Sequence, residues 1–418
     1  MVIDRPQYMD KLISGMGSDQ VKVVTGIRRC GKSFLIFNLF KSYLLLHGVP
    51  EDNIIEMAFD RYRNKKYQDP GVFYPYVANK LVRGKGTQYV FLDEVQLLGD
   101  FSGVLIDLIG MEDVDVYVTG SNARLLSKDV ITEFRGRGQN VKMAPLSFSE
   151  FMSAYDGDKR EGYVDYATYG GLPAIVSKRT PSDKTEYLKN LYDELYLRDI
   201  VERNGVRDQG NLEELVDVLS SATGSLVNPL KISSTFKSDK RVTIAPETVE
   251  RYISYLEDAF LISPAKRYDL KGRRYIGTPY KLYFTDLGLR NARMNFRQME
   301  ETHIMENVIY NELVARGCGV DVGVVPSTVK GEDDKTHRVQ LEIDFVCNKG
   351  SKRYYIQSAF ALPTIEKWEQ EQRSLLKVDD GFKKIIVTKE GLEPHYNENG
   401  ILVMNIYDFL LDKDSLDF

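Results

Sequence analysis

The polar and apolar positions of the chain follow two rhythms that alternate. Short apolar runs closed by polar residues read as buried strands: VKVVT at 21–25, QYVFLD at 88–93 and VDVYVTG at 114–120. Residues 33–46, SFLIFNLFKSYLLL, have the length and spacing of a helix. Strands of this continuous apolar type are buried on both faces, which predicts a parallel sheet covered by helices. Pro145 and the LSFSEFM that follows it close this first segment. Residues 163–204 then read as helical around a GGLP turn at 170–173, giving a lever or lid.

A third pattern begins near 211. NLEELVDVLSSAT, NPLKISSTFKS and APETVERYISYLEDAFLI predict three helices, the last with Pro246 near its first position. Residues 263–286 predict a hairpin turning at Lys271-Gly272. Beyond it, a helix at 303–317 precedes strands at 320–327, 338–350 and 352–362, a helix at 364–378, and closing strands at 382–390 and 400–410. The expected organisation is α/β: a core with a parallel sheet at 1–150, a helical linker at 151–210, an α-rich winged-helix region at 211–295 and an α/β domain at 296–418.

Composition narrows the function classes. A chain of 418 residues suits two or three domains. Net charge is −5, so any contact with nucleic acid needs a local basic patch. No apolar run is long enough for a membrane-spanning helix, and the first residues lack a secretory apolar region. Cys30, Cys318 and Cys347 are odd in number and far apart in sequence, and the four histidines are isolated. Neither a disulfide framework nor a zinc site is expected, and a cytoplasmic setting is.

The chemistry concentrates at Gly26-Ile27-Arg28-Arg29-Cys30-Gly31-Lys32-Ser33, which satisfies G-x-x-x-x-G-K-[ST] between a predicted strand and a predicted helix. Such a loop turns its N–H groups inward onto phosphates, and the helix N-terminus, here with Phe34, adds positive potential. Lys32 is expected on the β- and γ-phosphates of ATP and Ser33 on Mg²⁺. Arg28 and Arg29 either meet a phosphate or a neighbour, or are solvated. Asp93 and Glu94 end the second apolar run, at the strand end where α/β folds bind ligands. Asp93 is expected to hold Mg²⁺ and Glu94 to polarise the attacking water. Ser121 and Asn122 end the third run and suit either a γ-phosphate sensor or a helix cap. Arg135 and Arg137, set among glycines in EFRGRGQ, are candidates for a charge-neutralising arginine.

The pieces TGIRRCGKS, FLDEVQ, VTGSNARLLS, FRGRG and APLSFSEF, in that order, resemble the AAA-type P-loop ATPases of a prokaryotic group that carries a further C-terminal domain. The resemblance implies an AAA core, ATP and Mg²⁺ as ligands, a sensor at Ser121 or Asn122, and an arginine finger at Arg135 or Arg137. The finger in turn implies a homo-oligomer, or a monomer in which Arg135 or Arg137 acts in cis.

The predicted hairpin carries Lys266, Arg267, Lys271, Arg273 and Arg274, interleaved with Tyr268 and Tyr275. Three helices and a basic hairpin suit a winged helix that grips double-stranded DNA. The acids Glu247, Glu250, Glu257 and Asp258 on its third helix instead suit a protein partner. The order of elements after 300 resembles the restriction-endonuclease-like fold, which implies carboxylates at Glu306 or Glu312 and at Asp344, then Gln357-Ser358-Ala359 where that fold has an acid and a lysine. With the lysine missing, nuclease activity is not expected.

Overall fold

The computed structural model describes residues 2–82, 84–122, 136–239, 244–297, 299–330, 336–391 and 393–418. They form two compact units, residues 1–145 with 258–260 and residues 146–257 with 261–418.

Among the described residues, the first unit is built on five parallel strands, β1 (Val21–Thr25), β2 (Ile54–Ala58), β3 (Gln88–Asp93), β4 (Val114–Gly120) and β5 (Gly138–Lys142). Their order across the sheet is β2-β3-β4-β1-β5. Every residue of β1 and β3 is buried, as the continuous apolar runs predict. Val90, Leu92, Val116 and Val118 meet Phe73, Val77, Leu105 and Leu108 in one apolar cluster. The helix after β1 starts at Lys32 and continues to Leu46 through a π-helical stretch, Leu35–Phe40. Because all strands run one way, the loops after β1, β3 and β4 emerge at the same edge.

Among the described residues, the second unit holds nine strands: β6 (Leu226–Val227), β7 (Ile262–Asp269), β8 (Arg274–Phe284), β9 (Gly319–Lys330), β10 (Thr336–Lys349), β11 (Lys352–Ala359), β12 (Lys383–Thr388), β13 (His395–Tyr396) and β14 (Leu402–Asn405). Their order is β13-β14-β12-β11-β10-β9-β7-β8-β6. The hairpin β7–β8 joins the C-terminal strands through a parallel pairing of β7 with β9, from Arg267 to Asp269. Strands from 211–295 and from 296–418 therefore share one sheet. Helices Gln209–Ser221, Pro229–Asp239 and Pro246–Asp258 precede the hairpin, and β6 pairs with β8.

Two expectations change. The helical stretch at 163–204 is not one lever but a series of helices: Lys159–Tyr169, Pro173–Val176, Pro181–Asn190 and onward to Asn204. Gly170 has φ 77° and Pro173 and Pro181 start new helices, which interrupts the hydrogen-bond ladder. The last strand ends at Asn405, whose side chain accepts from the Asp408 N–H and caps a helix at Ile406–Leu411. Cys318 and Cys347, far apart in sequence, are free, buried thiols that come close where β9 and β10 pair, Cys347 standing opposite Val320.

Candidate functional site

The loop between β1 and the next helix is shaped by its glycines. Gly26 has φ 150°, and a Cβ there would stand 2.1 Å from the Met143 carbonyl oxygen. Gly31 sits in the left-handed region at φ 101°. Only glycine takes both positions without strain. Cys30 is fully buried, its thiol facing the Met143 carbonyl at 3.8 Å. Buried Arg5 fastens the loop from below, donating to the carbonyls of Cys30 at 3.3 Å, Ala144 at 2.8 Å and Pro145 at 3.2 Å. Ile27 is buried, whereas Arg29, Ser33 and Phe34 are exposed. The Lys32 ammonium is held inside the loop by the carbonyls of Gly26 and Ile27, each at 3.0 Å.

The carboxylates come from β3. The Ser33 hydroxyl donates to Asp93 Oδ1 at 2.8 Å, bringing the two expected Mg²⁺ residues together across 60 positions of sequence. Thr119, at the end of β4, donates to the same oxygen and accepts from the Glu94 N–H at 3.1 Å. Burial pushes the Asp93 carboxyl above its ordinary range, and the hydroxyls of Thr119 and Ser33 pull it back. Glu94 has φ 52°, a backbone position rare for a non-glycine residue. Its Oε2 accepts from the Ser121 hydroxyl at 3.1 Å and from Gln96. Arg28 Nε donates to that same Ser121 hydroxyl at 3.3 Å. Ser121 and Asn122 are both buried at the end of β4.

Lys32, Ser33, Asp93, Glu94, Arg28 and Ser121 thus converge at one edge of the sheet. Thr119 and Gln96 lie within the VTGSNARLLS and FLDEVQ segments, but the contacts they make become visible only in the fold. Arg137 is exposed and precedes β5, and its carbonyl accepts from the Val21 N–H at 2.8 Å. That is the entry end of β1, the end of the strand opposite its phosphate loop. Arg137 therefore cannot serve the loop of its own chain. Arg135 lies outside the described residues.

In the second unit, Lys266, Lys271, Arg273 and Arg274 are exposed along the hairpin. Arg267 is half-buried and donates to Gln340 at 2.8 Å. The Tyr268 and Tyr275 rings pack edge-on at 5.2 Å. Of the acids expected after 300, Glu312 is held by Arg316 at 2.7 Å and takes no part with the others. Glu306 and Asp344 do come together, with Glu342. Between them stands a lysine that no local motif contains. Lys281 Nζ, on β8, lies 2.8 Å from Glu306, 2.8 Å from Glu342 and 3.5 Å from Asp344. The Tyr283 hydroxyl donates to Glu306 at 2.6 Å, and the Ser358 N–H to Asp344 at 2.9 Å. Burial, then the Glu306 charge, pushes the Asp344 carboxyl up to about 7, against the pull of Lys281. Gln357 turns to Glu371 at 3.1 Å, and Ala359 is buried. The absence of a lysine read from the Gln357-Ser358-Ala359 segment is thus corrected: a distant strand brings one to the same acids.

Two stretches of the chain match known families. Residues 18–152 match the family described as AAA domain, and residues 160–300 match a domain of unknown function, DUF8612. An uncharacterized protein of Haemophilus influenzae is 33% identical over 415 residues, covering 98% of this chain and 99% of its own. The uncharacterized protein MJ1544 of Methanocaldococcus jannaschii is 25% identical, covering 93% of this chain and 85% of its own. Among solved structures, the Walker-type ATPase PABY2304 of Pyrococcus abyssi aligns with a TM-score of 0.48 at 16% identity, over 70% of this chain and 96% of that one. Among the described residues, no helix is long and apolar enough to cross a membrane. The chain belongs to one family with the Haemophilus influenzae protein, and its residues 18–152 are an AAA domain with a P-loop.

Proposed function

We propose that the chain is a Mg²⁺-dependent ATPase whose second unit grips the backbone of double-stranded DNA, nucleotide state being coupled to that grip. The observation that carries the ATPase reading is the Ser33–Asp93 hydrogen bond at 2.8 Å, with Glu94 as the next residue. Exposed Ser33 and buried Asp93 have the oxygen donors that suit a hard cation, and they would hold Mg²⁺. When bound, Mg²⁺ supplies charge neutralisation on the phosphates. The chain's own residues do the rest. Lys32 exchanges the carbonyls of Gly26 and Ile27 for phosphate oxygens. Glu94 orients a water and takes its proton, and Ser121 with Arg28 sets the direction of that carboxylate. Asn122 stands beside them as a further sensor. Arg137, excluded from its own site, meets the nucleotide of a neighbouring copy, so the active form is an oligomer. ATP turnover of the purified protein tests this reading: Glu94→Gln is expected to bind ATP and not hydrolyse it. Unchanged turnover would remove Glu94 from its role.

The DNA reading rests on the exposed cations Lys266, Lys271, Arg273 and Arg274 and on the winged-helix order of elements that presents them. It predicts turnover that duplex DNA stimulates and binding that falls steeply with salt. Exposed Glu247 and Glu250 on helix Pro246–Asp258 favour a second reading, a nucleotide-dependent switch that binds protein. Like charges repel a phosphate backbone at that helix. Turnover indifferent to DNA would select this second reading.

A further inference from the structure

The likeness of the C-terminal strands to a restriction-endonuclease fold implies a divalent cation gathered by carboxylates. The residues present do not fit one. Among the described residues, no group of three or more His, Cys, Asp or Glu side chains is placed to hold a metal ion. The acids that should form such a group, Glu306, Glu342 and Asp344, are instead gathered around a buried ammonium. Lys281 is 6% exposed in its side chain, and Glu306 and Asp344 are 11% exposed each. An ammonium has three donors and here faces three carboxylates.

The arrangement follows from strand alternation. Lys281 and Tyr283 are two apart on β8 and share a face, as do Glu342 and Asp344 on β10. Ala265, opposite Lys281 on β7, has only a methyl group and is fully buried. Glu306 descends from helix Glu301–Ala315 onto the same ammonium. Two further donors reach these acids. Tyr283 adds a second donor to Glu306 Oε1, and the Ser358 N–H occupies Asp344 Oδ2. A positive charge and its hydrogen-bond partners thus occupy the position where a metal would sit.

We propose that the Lys281 ammonium is the resident cation of this centre, standing in place of a divalent ion, so that the second unit holds its partner without a metal and without hydrolysing it. Lysine also joins three elements that are not sequence neighbours, β8, β10 and helix Glu301–Ala315. A cation fixed by a covalent stem cannot be chelated away, so this junction is insensitive to chelators.

Binding of Mn²⁺ to the full-length, nucleotide-free protein, read by electron paramagnetic resonance of the free ion, tests the proposal. Wild type and Asp344→Asn are expected to bind the same number of ions, and any weak site at Ser33 and Asp93 is common to both. Lys281→Met is expected to gain a single Mn²⁺ site that added Asp344→Asn abolishes, while Lys281→Arg, which keeps a cation, gains none. A folded Lys281→Met protein with no new site would overturn the proposal. So would a wild-type Mn²⁺ site, or Mg²⁺-dependent cleavage of plasmid DNA, that Asp344→Asn removes. If circular dichroism shows Lys281→Met unfolded, wild type against Asp344→Asn decides alone: equal counts support the proposal and a lower count in the variant overturns it.

Discussion

The two units each bring a lysine and strand-borne carboxylates together, and they use them in opposite ways. In the first unit Lys32 is satisfied by two backbone carbonyls, while Asp93 and Glu94 are held by hydroxyls of Ser33, Thr119 and Ser121 and by Gln96. Every partner there is neutral, so an incoming cation and an incoming phosphate each displace a modest hydrogen bond. In the second unit the lysine sits directly on the acids. Displacing it would leave buried charges unpaired, at a cost of several kcal/mol. The difference is one of pairing rather than of residue type. Similar groups make an open ligand site when lysine and acid are kept apart, and a closed junction when they meet.

Glu94 offers the most severe test of this contrast. Glu94→Gln keeps the acceptor for Ser121 and loses the base, so ATP turnover should fall by about 10²- to 10⁴-fold with nucleotide binding retained. Phosphate release beside equilibrium nucleotide binding would measure both. Lys281→Met attacks the other side of the comparison. Removing one partner of a buried pair costs about 3–5 kcal/mol, so the urea midpoint of the second unit should drop sharply while Lys281→Arg loses less. A Lys281→Met protein of unchanged stability would mean that the junction is not held by charge.

Thr119→Val sharpens the description of the first site. It removes one hydroxyl from both Asp93 and the Glu94 N–H. Bonds of this kind to a charged group are worth about 1.5–3 kcal/mol, and turnover should fall about ten- to a hundredfold with the fold intact. Thr119→Ser should recover most of it.

A smaller effect is expected from pH. The Asp344 carboxyl is raised from 3.8 to about 7 in the folded chain. The native state then binds this proton more tightly than the unfolded one. Its contribution is favourable at acid pH and is lost as pH rises from about 4 through about 7. Asp344→Asn should flatten that part of the urea-midpoint profile. Buried Asp286, pushed up to about 6 by burial, has the same sign and leaves a residual slope below that pH. Smallest of all, Lys271→Ala should weaken DNA binding uniformly across sequences and reduce the salt slope by about one. An unchanged slope would take the hairpin out of DNA contact.

Much of the first site was legible because its parts are local. The loop from Gly26 to Ser33 is one contiguous motif, and Asp93, Glu94, Ser121 and Asn122 stand at the ends of apolar runs that could only be buried parallel strands. A parallel sheet brings all such ends to one edge, so the assembly of the site needed no further information. Thr119 stands in the VTGSNARLLS segment, but that its hydroxyl meets both Asp93 and the Glu94 N–H depends on the pairing of β3 with β4. Arg137 was visible as a candidate, but its position at the entry end of β5 depends on the register Val21 to Gly138, which is a tertiary fact.

The second unit marks the limit of that legibility. Its helices and most of its strands follow from periodicity, since apolar spacing reports each element's own burial. Which strand neighbours which does not follow. The pairing of β7 with β9 merges two segments that read as separate, and it carries Lys281 to acids 25, 61 and 63 positions further along the chain. Local order, phosphate-loop chemistry and strand polarity are written in contiguous residues, where short-range sterics and burial act. The partner of a buried charge is settled by long-range strand pairing and by the requirement that no ion be left alone in the interior, and only the folded chain decides it.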